Sequence, residues 1–409
     1  MTYYHIYKKY KCFCFICAIL IFMSSMATAQ TDKFLSSKNQ LSNSHINSIY
    51  QDKEGLMWIC TENGLNIFNG TSVSTFFHSE KDSTSINSNS ILCVLEDSHG
   101  NFWIGTSSGL QRYDRERNVF TDFPLTYPKI RTISSINYLM EDSKGNIWIS
   151  CSGNGIIRLN SETFEPIFYM LSNSNICSNI ISCLFEDKYG NIWIGSADNG
   201  ISILNEGNST IVNYAHDPNN RKSLSNNKVN SICEDNDGAI LIGTIGGGVN
   251  KYHLQSRSFE RVMNDAGKLI YTLFKDNSGK LWIGTDGNGL FFVDSATKQL
   301  QRYESNLANI DLQTTKIHGI YQDHMNNMWF ALFQNGVLMS PSKLNPFRNI
   351  GFNPFHPEKS IGTHCVLSLL KDRKDQLWIG TEGGLYKFDK NGKLLHHYHS
   401  STTDRKSVV

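Results

Sequence analysis

The chain has 409 residues, with 38 Lys and Arg against 37 Asp and Glu and a formal net charge of +1. Both signs are mixed along its length, so no basic stripe suits a nucleic acid and no polybasic cluster suits an anionic lipid surface. At this length a single ordinary core is exceeded, and a repeated architecture is the natural alternative.

The N-terminus reads as an export signal over residues 1–29. Lys8, Lys9 and Lys11 precede an apolar stretch at 12–23, and Ala27-Thr28-Ala29 fits a small-x-small cleavage site before Gln30. The stretch is short for a membrane span, an uncleaved anchor being the alternative. Periplasmic location is expected. Seven cysteines follow the signal: Cys60, Cys93, Cys151, Cys177, Cys183, Cys233 and Cys365. The count is odd, the spacings are unpaired and no Cys-x-x-Cys occurs after residue 29, so they read as buried small hydrophobes with at most one adventitious disulfide.

From residue 46 onward one pattern recurs eight times. Its aspartates are Asp52, Asp97, Asp142, Asp187, Asp235, Asp276, Asp323 and Asp372, and six residues after each stands Trp58, Trp103, Trp148, Trp193, Leu241, Trp282, Trp329 or Trp378. Spacings of 45, 45, 45, 48, 41, 47 and 49 between these positions mark stacked supersecondary units. Three residues after each aspartate is Gly, or Asn326 or Asp375, types that tolerate a left-handed turn. A second turn closes on a glycine from Gly64 to Gly384, and a fourth, looser strand follows, as at 73–78, 163–170 and 300–303. Four antiparallel strands per unit make a β-propeller blade. In the first strand, apolar residues six and three before the aspartate occupy both parities, which fits a strand packed on both faces.

The repeats from Asp52 to Asp323 give seven blades over residues 30–344. Lys33 to Ser36 resembles a fourth strand that closes the seventh blade, leaving no open edge. Pro341, Pro346, Pro354 and Pro357 then mark a boundary. Residues 345–409 read as the first blade of a second, truncated propeller, with 347–352 as that ring's closing strand. A single eight-bladed ring is the rival reading. The fold class is all-β.

The phrase Glu-Asp-x-x-Gly-Asn-Ile-Trp-Ile-Gly-Thr-x-x-Gly-Leu, at residues 96–110 and 141–156 and more loosely in the other copies, resembles the two-component regulator propeller repeat. The resemblance covers essentially everything after residue 29. It implies the N-terminal periplasmic sensor part of a hybrid two-component histidine kinase, whose full-length form carries two seven-bladed rings, a small β-sandwich, a membrane span, a kinase, a receiver and a helix-turn-helix domain. A homodimer of the full-length sensor and membrane attachment through its C-terminal part are implied in the same way.

The residues give no catalytic constellation. Eight aspartates serving eight blades are a structural device, read as accepting backbone N–H bonds within their turns. The Trp column reads as core, because Leu241 replaces one member. No spacing suggests a metal or a cofactor. What the repeat does not dictate lies at one mouth of the ring. Five before each aspartate stand Asn47, Leu92, Asn137, Ser182, Asn230, Tyr271, His318 and Leu367; nearby turns add Glu62, Asp198, Asp286, Phe333 and Gln334. Entering loops add Tyr127, Lys129, Arg131, His216 and Arg221. The ligand-binding set expected from these is Glu62, Tyr127, Arg131, Asn137, Asp198, Asn230, Tyr271, Asp286, His318 and Gln334. Planar polar groups among aromatics suit an oligosaccharide. The expected function is therefore sensing of glycan-derived oligosaccharides. A secreted propeller enzyme acting on polysaccharide and a protein-binding platform are the alternatives.

Overall fold

The structure, a computed structural model, describes residues 32–125, 135–160, 162–205, 207, 209–294, 297–304, 310–342, 360–362, 365–390 and 392–399. The export signal, the 347–352 strand, Tyr127, Lys129 and Arg131 lie outside them. The described residues form eight four-stranded antiparallel sheets. Blade 1 runs Ile46–Gln51, Met57–Thr61, Gly64–Phe68 and Val73–Phe76, each strand pairing with the one before it. Blades 2 to 6 repeat this order. The first strands of blades 1 to 7 touch their neighbours in cyclic sequence, blade 7 meeting blade 1. Lys33–Leu35 is the fourth strand of blade 7, with Phe34 opposite Leu338. The ring, within residues 33–340, is one compact unit, and the eighth sheet belongs to a second.

Local chemistry explains the recurrence. Each aspartate organises the turn between the first two strands. Asp52 Oδ1 accepts the N–H of Glu54 at 3.0 Å and of Leu56 at 2.8 Å. The position three after the aspartate has φ of +60° to +90° in all eight copies, Asn326 and Asp375 included. A side chain with a Cβ is strained there, which is why six copies use glycine. The other oxygen has a partner that the sequence reading missed. In every blade that has the tryptophan, its indole N–H donates to the aspartate Oδ2 at 2.6–2.9 Å. The Trp column is core and hydrogen-bond donor at once. Blade 5, with Leu241, uses Lys251 Nζ at 2.9 Å from Asp235 Oδ2 instead.

The core lies between blades. Trp103 of blade 2 packs with Ile147, Ile149 and Leu159 of blade 3, and Trp329 of blade 7 shares a cluster with Met57, Ile59 and Phe68 of blade 1. Each such burial contributes roughly 1.5–3 kcal/mol. Close approach requires a small residue two after each tryptophan. A Cβ on Gly105 would meet Ile136 Cγ2 at 2.8 Å, and one on Gly195 would meet Val229 Cγ1 at the same distance. Cys60 occupies this column in blade 1 and is fully buried. All seven described cysteines are free, so the adventitious disulfide is absent among them. Burial pushes the thiols of Cys60, Cys151, Cys183 and Cys233 up to about 12, which leaves them unreactive.

In the ring, side chains one before the aspartate lock blade to blade. Glu96 accepts the Lys53 N–H at 2.8 Å, Glu141 that of Ser98 at 2.9 Å and Glu186 that of Ser143 at 2.7 Å. Gln322 and Gln51 do the same for Asn277 and His324, the latter closing the ring. In blade 6 the residue is Lys275, and the polarity reverses: its Nζ donates to the Asp235 carbonyl at 3.1 Å.

The mixed parity of the first strands has a different cause from the one expected. In every blade a register shift falls between the first and third residues of this strand, as between Ile46 and Ser48. This β-bulge carries one extra residue and brings Ile46 and Ile49 to the same side. Two-sided burial belongs to the second strands, buried at every position in the seven ring blades.

Candidate functional site

The bulged residues are Asn47, Leu92, Asn137, Ser182, Asn230, Tyr271 and His318, the mouth column of the ring. A bulge lets a side chain leave the alternation of its strand, and bulges recur beside functional sites. The same face carries the turns after the second strands. In each ring blade the residue after the second strand donates its N–H to the carbonyl before the first strand, as Asp286 to Leu269 at 3.0 Å and Phe333 to Lys316 at 2.9 Å. Both loop sets are thus held together on one face.

Around this mouth the ring is uneven. Asn47 Nδ2 donates to the Ile91 carbonyl of the next blade at 2.8 Å, Ser182 Oγ to that of Val229 at 2.5 Å and Asn230 Nδ2 to that of Tyr271 at 3.4 Å. These three join adjacent first strands, so Asn230 has a structural task as well as a place at the site. Blades 6 and 7 carry rings instead. Tyr271 and His318 stack with centroids 3.7 Å apart and planes 2° from parallel. His318 lies 4.5 Å from Phe333, and Phe333 meets His45 edge-on at 4.8 Å. Four rings therefore form a row from blade 6 across blade 7 to the loop entering blade 1.

Two charges flank the row. Lys316 Nζ lies 2.7 Å from Asp286 Oδ1, an ion pair whose angle falls short of a hydrogen bond, and 5.5 Å from the Phe333 ring centre. Burial lowers the His318 imidazole to about 4, with Asp286 opposing the fall and Lys316 and His45 adding to it. His318 is therefore neutral near pH 7, one nitrogen donating and the other accepting. Its Nε2 is buried without a hydrogen-bond partner among the described residues. Burial raises the Tyr271 phenol, and Asp286 adds to the rise.

At the end of the row a cavity of about 460 Å³ is lined by Ser37, Ser42, Asn43, Ser44, His45, Glu62 and Gln334. The arc from blade 5 to blade 1 thus gathers Asn230, Tyr271, Asp286, His318, Gln334 and Glu62 from the expected set. Asn137 is exposed on blade 3, its Oδ1 accepting from Ser135 Oγ at 2.9 Å, and Asp198 is exposed on blade 4. Neither is joined to the row by a hydrogen bond or ion pair among the described residues. His216 serves its own loop: its Nδ1 is 2.7 Å from the Leu224 carbonyl, as His78 is from that of Ile86. The sequence reading missed His45 and Lys316. Both immediately precede a first strand, a column adjacent to the mouth that could have flagged them. Among the described residues no group of three His, Cys, Asp or Glu could hold a metal ion, and no helix is long and apolar enough to cross a membrane.

The two-component regulator propeller family matches residues 40–63, 85–108, 132–153, 175–198, 223–246 and 266–287. Histidine kinase P4 of Formosa agariphila is 26% identical over 188 residues, 44% of this chain and 13% of the kinase. The extracellular domain of the hybrid two-component system BT3049 of B. thetaiotaomicron superposes with a TM-score of 0.74 at 26% identity, over 90% of this chain and 49% of that domain. Virginiamycin B lyase from Staphylococcus aureus shares the fold, with a TM-score of 0.57 at 16% identity over 76% of this chain and 98% of the lyase. The chain thus spans about half of the BT3049 domain and a smaller part of the kinase. The seven-bladed ring and the eighth sheet repeat one motif, and six of its copies match the two-component regulator propeller repeat.

Proposed function

We propose that this chain is a ligand-sensing, extracytoplasmic part of a two-component signalling protein, and that its ligand is a glycan-derived oligosaccharide held at the ring mouth. The observation that carries this reading is the row of Tyr271, His318, Phe333 and His45, which departs from the repeat where blades 6, 7 and 1 meet. Sugar rings present apolar C–H faces and hydroxyl edges. The row offers planar surfaces for the first, and Gln334 and the serines of the neighbouring cavity offer partners for the second. The likeness to the extracellular domain of BT3049 supports the sensor role.

Calorimetry of the chain against a panel of oligosaccharides tests it. Binding should be modest, because hydroxyls exchange water hydrogen bonds for protein ones at small net gain. Tyr271→Ala should weaken it roughly 3- to 10-fold, the size of a lost ring contact, with the unfolding temperature close to that of the parent. Binding unaffected by Tyr271→Ala and His318→Ala would place the ligand elsewhere.

A further inference from the structure

The cavity at the seam of blades 7 and 1 has a charge character of its own. Among its lining residues Glu62 is the one carboxylate, and none is Lys or Arg. Glu62 Oε2 accepts from Ser90 Oγ at 2.9 Å, a neutral partner. The nearby cation of the mouth, Lys316, is held by Asp286 at 2.7 Å, so it and that carboxylate cancel one another. His45 and His318 border the same region, and His318 is neutral. The lining thus sets one exposed carboxylate, with no Lys or Arg beside it, amid hydroxyl and amide groups from Ser37, Ser42, Ser44 and Gln334. A uronate or sulfated sugar would bring like charge against it, whereas an ammonium group would make a charge-assisted hydrogen bond. The volume of about 460 Å³ lies within the range of small-molecule clefts.

We infer that this cavity takes an amino sugar with a free, protonated amine, Glu62 serving as its counter-charge. The inference rests on the reading of the mouth as an oligosaccharide site and assigns the class of sugar that site selects.

The test is calorimetry of the full chain with three probes: a β-1,4-glucosamine trimer, its fully N-acetylated counterpart and a uronic acid trimer. The free-amine trimer should bind about tenfold more tightly than the N-acetylated one, the size of one charged hydrogen bond, and the uronate should bind most weakly. In Glu62→Gln the discrimination between amine and N-acetyl forms should shrink to about twofold or less, with the unfolding temperature unchanged. Equal affinity for amine and N-acetyl trimers, or preference for the uronate, would overturn the inference. If the trimers bind and Tyr271→Ala weakens them, yet Glu62→Gln changes nothing, this assignment alone fails. If none of the three binds, the oligosaccharide reading of the mouth fails with it.

Discussion

Lys251 Nζ lies 2.9 Å from Asp235 Oδ2, directly across the ladder from Leu241. In the other blades an indole N–H fills that place. The eight aspartates therefore share two needs: backbone N–H groups at one oxygen and a side-chain donor at the other. Leu241 is a substitution with a compensation on the next strand, and the compensation shows what the tryptophan supplies beyond bulk.

Lys251→Met should lower stability by about 1 kcal/mol in chemical denaturation, a modest figure because the pair is partly solvated. Adding Leu241→Trp should recover part of the loss. A pH arm checks the same point. Burial pushes the Asp235 carboxyl up, but Lys251 and the N–H groups of Ala239 and Asp237 outweigh it and hold it below its ordinary value. A depressed carboxyl contributes stability above its unfolded pKa of about 4, and that contribution is lost as pH falls through the folded value. Lys251→Met should therefore be least penalised at the lowest pH. An equal penalty at every pH would count against the pairing.

Trp193 tests the packing and hydrogen-bonding roles separately. Its ring is almost fully buried, and its Nε1 donates to Asp187 Oδ2 at 2.9 Å. Trp193→Ala should cost about 3–5 kcal/mol through the cavity it leaves. Trp193→Phe keeps most of the apolar volume and should cost about 1–3 kcal/mol, since Asp187 retains its bonds to Asn191. A negligible loss in Trp193→Phe beside a large one in Trp193→Ala would mean that the indole donor contributes little.

The eighth sheet has its own core of Ile361, Ile379, Tyr386 and Phe388, but its first strand, Val366–Lys371, is exposed throughout. Leu369 is 65% exposed, whereas its counterpart Leu184 in blade 4 is 3% exposed. Leu369→Ser should therefore stay within about 0.5 kcal/mol of the parent, the ordinary range for surface positions. Leu184→Ser should cost at least about 2 kcal/mol. A large loss at Leu369, read by denaturation followed with Trp378 fluorescence, would reveal a covering surface in solution.

Blade count and turn chemistry were legible because each is written eight times: the left-handed position after each aspartate is a local φ requirement that a residue type announces. The pairing of Phe34 with Leu338 was legible because Lys33–Leu35 has strand character without a blade of its own. The bulge was not. One extra residue per first strand leaves no composition signal, and its effect on parity imitates two-sided burial. The Trp–Asp bond was hidden because a donor six residues away looks like core until the turn folds it back. At the mouth, Tyr271 and His318 stood out by breaking their column. His45 did not, since its ring contact with Phe333 joins blades 1 and 7 from opposite ends of the ring's sequence, and Lys316 did not, since its ion pair with Asp286 joins blade 7 to blade 6.

His318 gives the site a pH signature. Its imidazole falls from an ordinary 6.5 to about 4, chiefly through burial, so the folded ring binds a proton more weakly than the unfolded chain. The sign follows from that difference. Above about pH 6.5 both states are neutral and the full stability is present. As pH falls toward 4 the unfolded chain takes up the proton first, and stability declines until the folded ring titrates as well. The ring is partly exposed, so the decline should amount to about 1–2 kcal/mol once solvent screening is allowed for. His318→Phe keeps a flat ring against Tyr271 and Phe333 but cannot titrate, and it should flatten the limb between pH 6.5 and 4. Ligand binding should share the dependence. Protonating His318 would put a charge into the ring row on which a neutral sugar stacks, so affinity in the parent should hold from pH 7 to about 5 and fall near pH 4. In His318→Phe the affinity should lose that fall. A parent limb that persists in His318→Phe would assign the acid sensitivity to other groups.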